Sequence, residues 1–237
     1  GRALRATSAI ARPDTPNTLS ADAPAIGNRR SYGDAPLNDG GKAIDMTRLD
    51  RIIDFDCDTG LLTVEAGITL GDLARIFAPQ GWLPAVMPGT GFATIGGAIA
   101  MDVHGKNHHH KGSFCQHVTT ITLIQGDSAR RITPKSGALW KATCGGLGQT
   151  GVIASATLQM TPVRGDMMLV SERRAHDWNH HIALLDGSDA PYTVGWIDAT
   201  ATGDALGRGI VEEGETCRGL RPTPRAPKKI PLDAPHW

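Results

Sequence analysis

Apolar residues recur along this chain at two periods, and the switches between them divide it into short elements. Residues 9–12 read as a first strand, and Asp14-Thr15-Pro16 as a helix start with little chain behind it. Residues 43–46 and 51–55 read as strands. Residues 61–66 continue the run beyond an Asp58-Thr59-Gly60 turn, which predicts a hairpin. Leu70, Leu73, Ala74 and Phe77 then fall at helical spacing, and Pro79-Gln80-Gly81 stops that helix. Residues 118–123 form a β-branched strand that can pair with 130–133 around Gly126-Asp127. Residues 139–143 read as a short helix and 152–160 as an alternating strand. The pattern changes near Gly165. Residues 178–185 then read as helical, 192–198 and 207–211 as strands, and the proline-rich 218–235 as a loop or extended arm. The mixture is α+β, with the strands before residue 165 in two small sheets.

Composition narrows the class. A chain of 237 residues, 40% hydrophobic, can bury a substantial core in one large or two small domains. Its 24 basic and 24 acidic residues balance, which excludes a nucleic-acid binder relying on overall positive charge. No apolar run reaches the roughly 20 residues of a membrane helix, and no secretory signal is visible. Cys57, Cys115, Cys144 and Cys217 are too widely spaced for a zinc or dithiol pair. A cytoplasmic location is the expectation, with membrane association left open. Cys144 reads as a small buried hydrophobe.

Two glycine-bearing segments carry the chemistry. Pro88-Gly89-Thr90 makes a turn, and Gly96-Gly97 opens an apolar segment ending in His104-Gly105-Lys106-Asn107. Glycine pairs let backbone approach a flat or phosphorylated ligand, and the tip then presents an imidazole, a cation and an amide. Upstream, Ala25-Ile26 leads into Gly27-Asn28-Arg29-Arg30-Ser31-Tyr32-Gly33-Asp34-Ala35. Successive N–H groups in such a turn form an anion nest, suited to a pyrophosphate. The spacing matches neither the dinucleotide fingerprint nor the Walker A loop.

Together with Leu37-Asn38, Thr94–Ala100, His104–His109 and Cys144–Ile153, these segments resemble the FAD-binding domain of the vanillyl-alcohol oxidase and p-cresol methylhydroxylase superfamily. Within it they are similar to the decaprenylphosphoryl-ribose oxidase-like proteins. The resemblance runs to about residue 162 and weakly beyond. It implies an FAD-binding domain of two small α/β subdomains over residues 1–164. The start of a substrate (cap) domain, cut short, would follow over 165–237.

The resemblance also assigns roles. Ala25, Ile26, Gly27, Asn28, Arg29, Arg30, Ser31, Tyr32, Gly33, Asp34 and Ala35 would form the pyrophosphate and ribose loop. Gly89, Thr90, Thr94, Ile95, Gly96 and Gly97 would lie along pyrophosphate and flavin. Met101, Asp102, Val103, His104 and Gly105 would pass the isoalloxazine, and Ile153 would support the adenine side. Arg29 and Arg30 can also be read as solvated charges, and Tyr32 as a core residue. Arg30 stands where many relatives carry a flavin-tethering histidine, so the FAD is expected to be non-covalent, with His104 a minor covalent candidate.

His104, Lys106 and Tyr32 are the catalytic candidates. Alcohol oxidation passes hydride to flavin N5 and leaves a hydroxyl proton that a histidine can accept. Lys106 would bind substrate or steady charge on the flavin. His108 belongs to the resembled motif, and the following histidines are read as surface, with no metal. The expected activity is oxidation of a secondary alcohol on a sugar or sugar-derived substrate, lipid-linked or free, with the electron acceptor open. The alternatives are an NADPH-using flavin reductase of the UDP-N-acetylenolpyruvylglucosamine reductase type and a non-catalytic FAD-binding fragment.

Overall fold

A computed structural model of the chain describes residue 7 and residues 9–219. The first sheet is small and parallel: β1 (Ala9–Ala11), β2 (Ala25–Ile26) and β3 (Lys42–Asp45), in the order β1-β3-β2. The connection from β1 to β2 holds only a one-turn 3-10 helix at Pro16–Thr18, in keeping with the short apolar content there.

The second sheet begins with the expected hairpin, β4 (Ile52–Asp56) and β5 (Leu61–Glu65). Its turn is closed by the Asp56 carboxylate, which accepts the N–H groups of Asp58 and Thr59 and the Thr59 hydroxyl. Helix α1 (Leu70–Phe77) starts where the Thr69 hydroxyl accepts the Asp72 N–H at 3.0 Å. It buries Leu70, Leu73 and Phe77, the stripe its spacing predicts. A three-residue strand β6 (Trp82–Pro84) follows, then α2 (Ile95–Ala100), α3 (His108–Lys111), β7 (Val118–Gln125), β8 (Ser128–Ile132), α4 (Ala138–Thr143) and β9 (Val152–Pro162). The sheet is antiparallel in the order β4-β5-β9-β7-β8, with β6 on the far end of β9.

The main core lies between this sheet and the helices. Leu62, Val64, Ile121, Leu123, Leu158 and Met160 meet Leu70, Leu73, Phe77, Ile95 and Ile99. A smaller core joins the two sheets, with Leu19, Ile44, Met46 and Leu49 against Ile124, Val152 and Ala154. The cleft between the sheets is therefore set by apolar packing on both sides of it.

A third sheet, β10 (Met167–Ala175), β11 (Tyr192–Ile197) and β12 (Gly209–Cys217), runs antiparallel in the order β10-β12-β11. Helix α5 (Trp178–Asp186) packs on it, burying His181 to 2% exposure near Gly195. The two sheets expected before residue 165 are thus present, and the strands beyond it form a third. Strand β10 escapes the apolar pattern because residues 168–174 are all exposed, so no alternation marks them. The proline-rich arm lies outside the described residues beyond Gly219.

Candidate cofactor and active site

A cavity of about 520 Å³ opens between the parallel sheet and α2. The loop leaving β2 forms one wall, and it is tied to the opposite wall at three points. Gly27 lies against the Thr94 side chain so closely that a Cβ would overlap the hydroxyl. Asn28 Nδ2 donates to the Phe92 carbonyl at 2.9 Å. The Arg30 guanidinium stands 5.0 Å over the Phe92 ring, a cation–π contact.

Arg29 is bound from behind. Its backbone is left-handed, with φ of 54°, and its guanidinium donates to Asp45 at 3.4 Å. Asp45 is buried and also accepts Arg12 Nε at 3.2 Å, the Thr47 N–H at 3.1 Å and the Thr47 hydroxyl at 2.7 Å. Burial alone pushes its carboxyl up. The Thr47 bonds and the Arg12 and Arg29 charges outweigh that and hold it below the usual carboxylate range. Among the described residues, no hydrogen bond engages the backbone N–H groups of residues 27–33, and residues 27–32 line the cavity.

The start of α2 differs from expectation. The Ile95 N–H donates to Ile68 O, the Gly96 N–H to Ala66 O, and the Gly97 N–H to the capping Thr94 hydroxyl at 3.2 Å. These donors serve the fold, so the N–H groups free for an anion come from the upstream loop. Ile95 is fully buried in the core and does not line the cavity. Gly96 lines the cavity, yet its missing Cβ points at Ala66, with 3.2 Å to that residue's Cβ, because α2 lies against the end of β5.

Of the other sequence candidates, Ala25, Ile26, Gly27, Asn28, Arg29, Arg30, Ser31, Tyr32 and Ala35 line the cavity. So do Gly89, Thr90, Thr94, Gly97, Met101, Asp102, Val103, His104 and Ile153. Gly33 and Asp34 do not; they are exposed beyond the turn. Gly105 is buried behind the wall against the Met87 carbonyl. Tyr32 is 93% exposed, which removes the core reading of that residue.

Sequence reasoning missed Met46, Ala66, Ala93, Ala100, Leu147, Gly148 and Gly151, all of which also line the cavity. The glycines of 145–151 were the available signal for the last three. Met46 and Ala66 are strand-end residues that only the docking of two sheets brings together.

At the cavity mouth, His104 pairs in an isolated bridge with Ser113, and its ring lies 5.6 Å from that of His108. Asp102, with φ of 42°, turns its carboxylate into the wall. It accepts the Ser113 hydroxyl at 2.9 Å and the Cys115 N–H at 2.8 Å, and so steadies the segment that carries His104. Lys106 does not line the cavity. Its carbonyl accepts the Thr193 N–H at 2.8 Å and its ammonium stands 5.5 Å over the Trp196 ring, so it faces the third sheet. Among the described residues, no three His, Cys, Asp or Glu side chains gather as a metal site. Contact with Cys144 and burial push the Cys115 thiol up, as suits a packed hydrophobe.

The residues fit a dinucleotide: unpaired N–H groups and two arginines on one wall, small and apolar groups on the other. Comparison with known proteins agrees. Residues 21–133 match the FAD binding domain family. The matched segment is an FAD-binding domain, in keeping with the motifs the chain carries.

Among its relatives is the decaprenylphosphoryl-beta-D-ribose oxidase of Mycolicibacterium smegmatis. The two are 41% identical over 222 residues, which is 90% of this chain and 48% of that protein. The L-gulonolactone oxidase of Mus musculus is 30% identical over 139 residues, 58% of this chain and 31% of that protein. In fold the chain is similar to an alkyldihydroxyacetonephosphate synthase, with a TM-score of 0.73 at 13% identity, over 88% of this chain and 47% of that one. The chain spans about half the length, or less, of these curated relatives. Among the described residues, no helix is long and apolar enough to cross a membrane.

Proposed function

We propose that the chain forms the flavin half of an FAD-dependent oxidoreductase that oxidises a secondary alcohol of a sugar or sugar-derived substrate. The observation that carries this is His104 at the mouth of the FAD cavity, on a segment steadied by Asp102. Bound FAD supplies a two-electron acceptor at N5. The residues then have separate tasks. The 27–33 turn and Arg30 hold the diphosphate, and the apolar wall supports the rings. His104 accepts the substrate hydroxyl proton. Lys106, set against Trp196, lies on the third-sheet side, where it would meet the polar part of a substrate spanning from His104. Tyr32, exposed at the cavity rim, would close over the bound pair.

Residues 1–164 would then be the FAD-binding domain and 165–237 the beginning of the substrate domain. The choice of a sugar alcohol rests on the relatives named above, one a ribose-derivative oxidase and one a gulonolactone oxidase. Arg30 cannot form a histidyl–flavin link, so the FAD is held without a covalent bond.

Two measurements test the reading. Acid precipitation of the FAD-loaded protein should release all flavin colour to the supernatant; colour retained in the pellet refutes non-covalent binding. Anaerobic addition of ribosyl or alditol substrates should bleach the flavin while NADPH should not. Bleaching by NADPH alone would replace the oxidase reading with a reductase.

A further inference from the structure

Three non-glycine residues among those described hold left-handed backbone: Arg29 (φ 54°), Asp102 (φ 42°) and Leu147 (φ 54°). All three line the FAD cavity. Strain of this kind persists only where the surroundings hold it in place. Asp102 is held through its carboxylate by Ser113 and Cys115, and Leu147 through its N–H, which donates to Ala100 O at 2.8 Å. For Arg29 the hold is its side chain, which ends on Asp45. Asp45 sits at the end of β3, in parallel register with Ile26 at the end of β2. Its carboxylate is thereby fixed beside the point where the 27–33 loop leaves the sheet.

We infer that Asp45 is a positioning residue for the FAD diphosphate. By anchoring Arg29 it holds the loop in the left-handed geometry that turns consecutive N–H groups into one concave nest. A buried carboxylate beside an anion site looks hostile at first. Here its single negative charge is shared between the guanidiniums of Arg12 and Arg29, so the three side chains together keep a net positive charge. The Thr47 N–H and hydroxyl take up its remaining acceptor capacity, so the acid is fully engaged without a ligand. The inference rests on the cavity being the FAD site, and it adds what shapes that site.

The test compares FAD dissociation constants, read by flavin fluorescence, for the chain and its variants. Arg29→Ala and Arg29→Gly remove the same charge and the same contact to Asp45. They differ in how readily the backbone turns left-handed, a difference of roughly 1–2 kcal/mol, or about 5- to 30-fold in binding. Arg29→Ala should therefore bind FAD weaker than Arg29→Gly by about that factor. Asp45→Asn should weaken binding, and adding Arg29→Gly to it should restore part of the loss, because glycine needs no anchor.

Equal constants for Arg29→Ala and Arg29→Gly overturn the inference, as does full affinity in Asp45→Asn. Circular dichroism checks that each variant folds; if Asp45→Asn does not, the Arg29 pair decides alone. A wild-type chain that binds no FAD is a different failure. It removes the FAD assignment itself, and the clamp with it.

Discussion

Replacing Gly27 with alanine tests how the two walls of the cleft are joined. The φ of Gly27 lies outside the left-handed region, so alanine meets no backbone strain there. What it meets is Thr94. The new methyl would overlap the Thr94 hydroxyl oxygen and lie 3.0 and 3.1 Å from its Cγ2 and Cβ. Thr94 has little room to yield, being 3% exposed and capping α2 through the Gly97 N–H at 3.2 Å.

Forcing a methyl into a packed contact costs about 1–3 kcal/mol, and losing a threonine cap about 0.5–2 kcal/mol. Gly27→Ala should therefore destabilise the fold by about 1.5–5 kcal/mol. The same change in a Thr94→Ala background should cost less than about 1 kcal/mol, because the overlapping oxygen and the cap are already gone. Urea unfolding of the wild type, both single variants and the double variant reads these terms, provided the m values agree. Additivity within about 0.5 kcal/mol, or a Gly27→Ala midpoint equal to wild type, would refute the reasoning.

His104→Ala should lower substrate-driven flavin reduction far more than it lowers FAD content, measured by anaerobic spectra at matched flavin; unchanged reduction removes its role as proton acceptor. Gly96→Val should act through the fold, since its side chain would press on Ala66 at 3.2–3.3 Å. The expected loss is about 1–3 kcal/mol in unfolding free energy, and a stable variant that merely releases FAD would point to a side chain facing the cofactor instead. Asp45 makes a pH-dependent contribution. Its carboxyl is held below the ordinary value of 3.8, so the stabilisation is complete above that value and fades as pH falls through the folded-state value. Urea midpoints of wild type and Asp45→Asn should therefore converge below about pH 4; a gap that stays constant on acidification contradicts this.

Much of the fold was legible in local pattern. Helix α1 was marked by Leu70, Leu73 and Phe77 at helical spacing, and the β4–β5 hairpin by Asp58-Thr59-Gly60. These are short-range features, set by side-chain periodicity and turn chemistry within a few residues. Strand β6 was too short to show a period, and β10 has seven exposed residues in succession, so neither left a mark. In the site, the glycine loops and His104 could be read because each motif is contiguous. Local pattern did not show that helix geometry turns the Ile95 side chain into the core while its neighbours Thr94 and Gly96 line the cavity.

The sequence by itself marked the class of domain: two glycine loops, an arginine pair and a histidine tip in one order resemble an FAD-binding domain. Tertiary structure decided which atoms remain available to a ligand. The α2 N–H groups are taken by Ile68, Ala66 and Thr94, and those of the 27–33 loop have no partner within the described residues. It also placed Lys106 against Trp196 and Asp45 behind Arg29. The physical reason is that hydrogen-bond donors are consumed, and strained turns held, by groups far away in the chain. Such pairings depend on how sheets dock, and no local pattern records them.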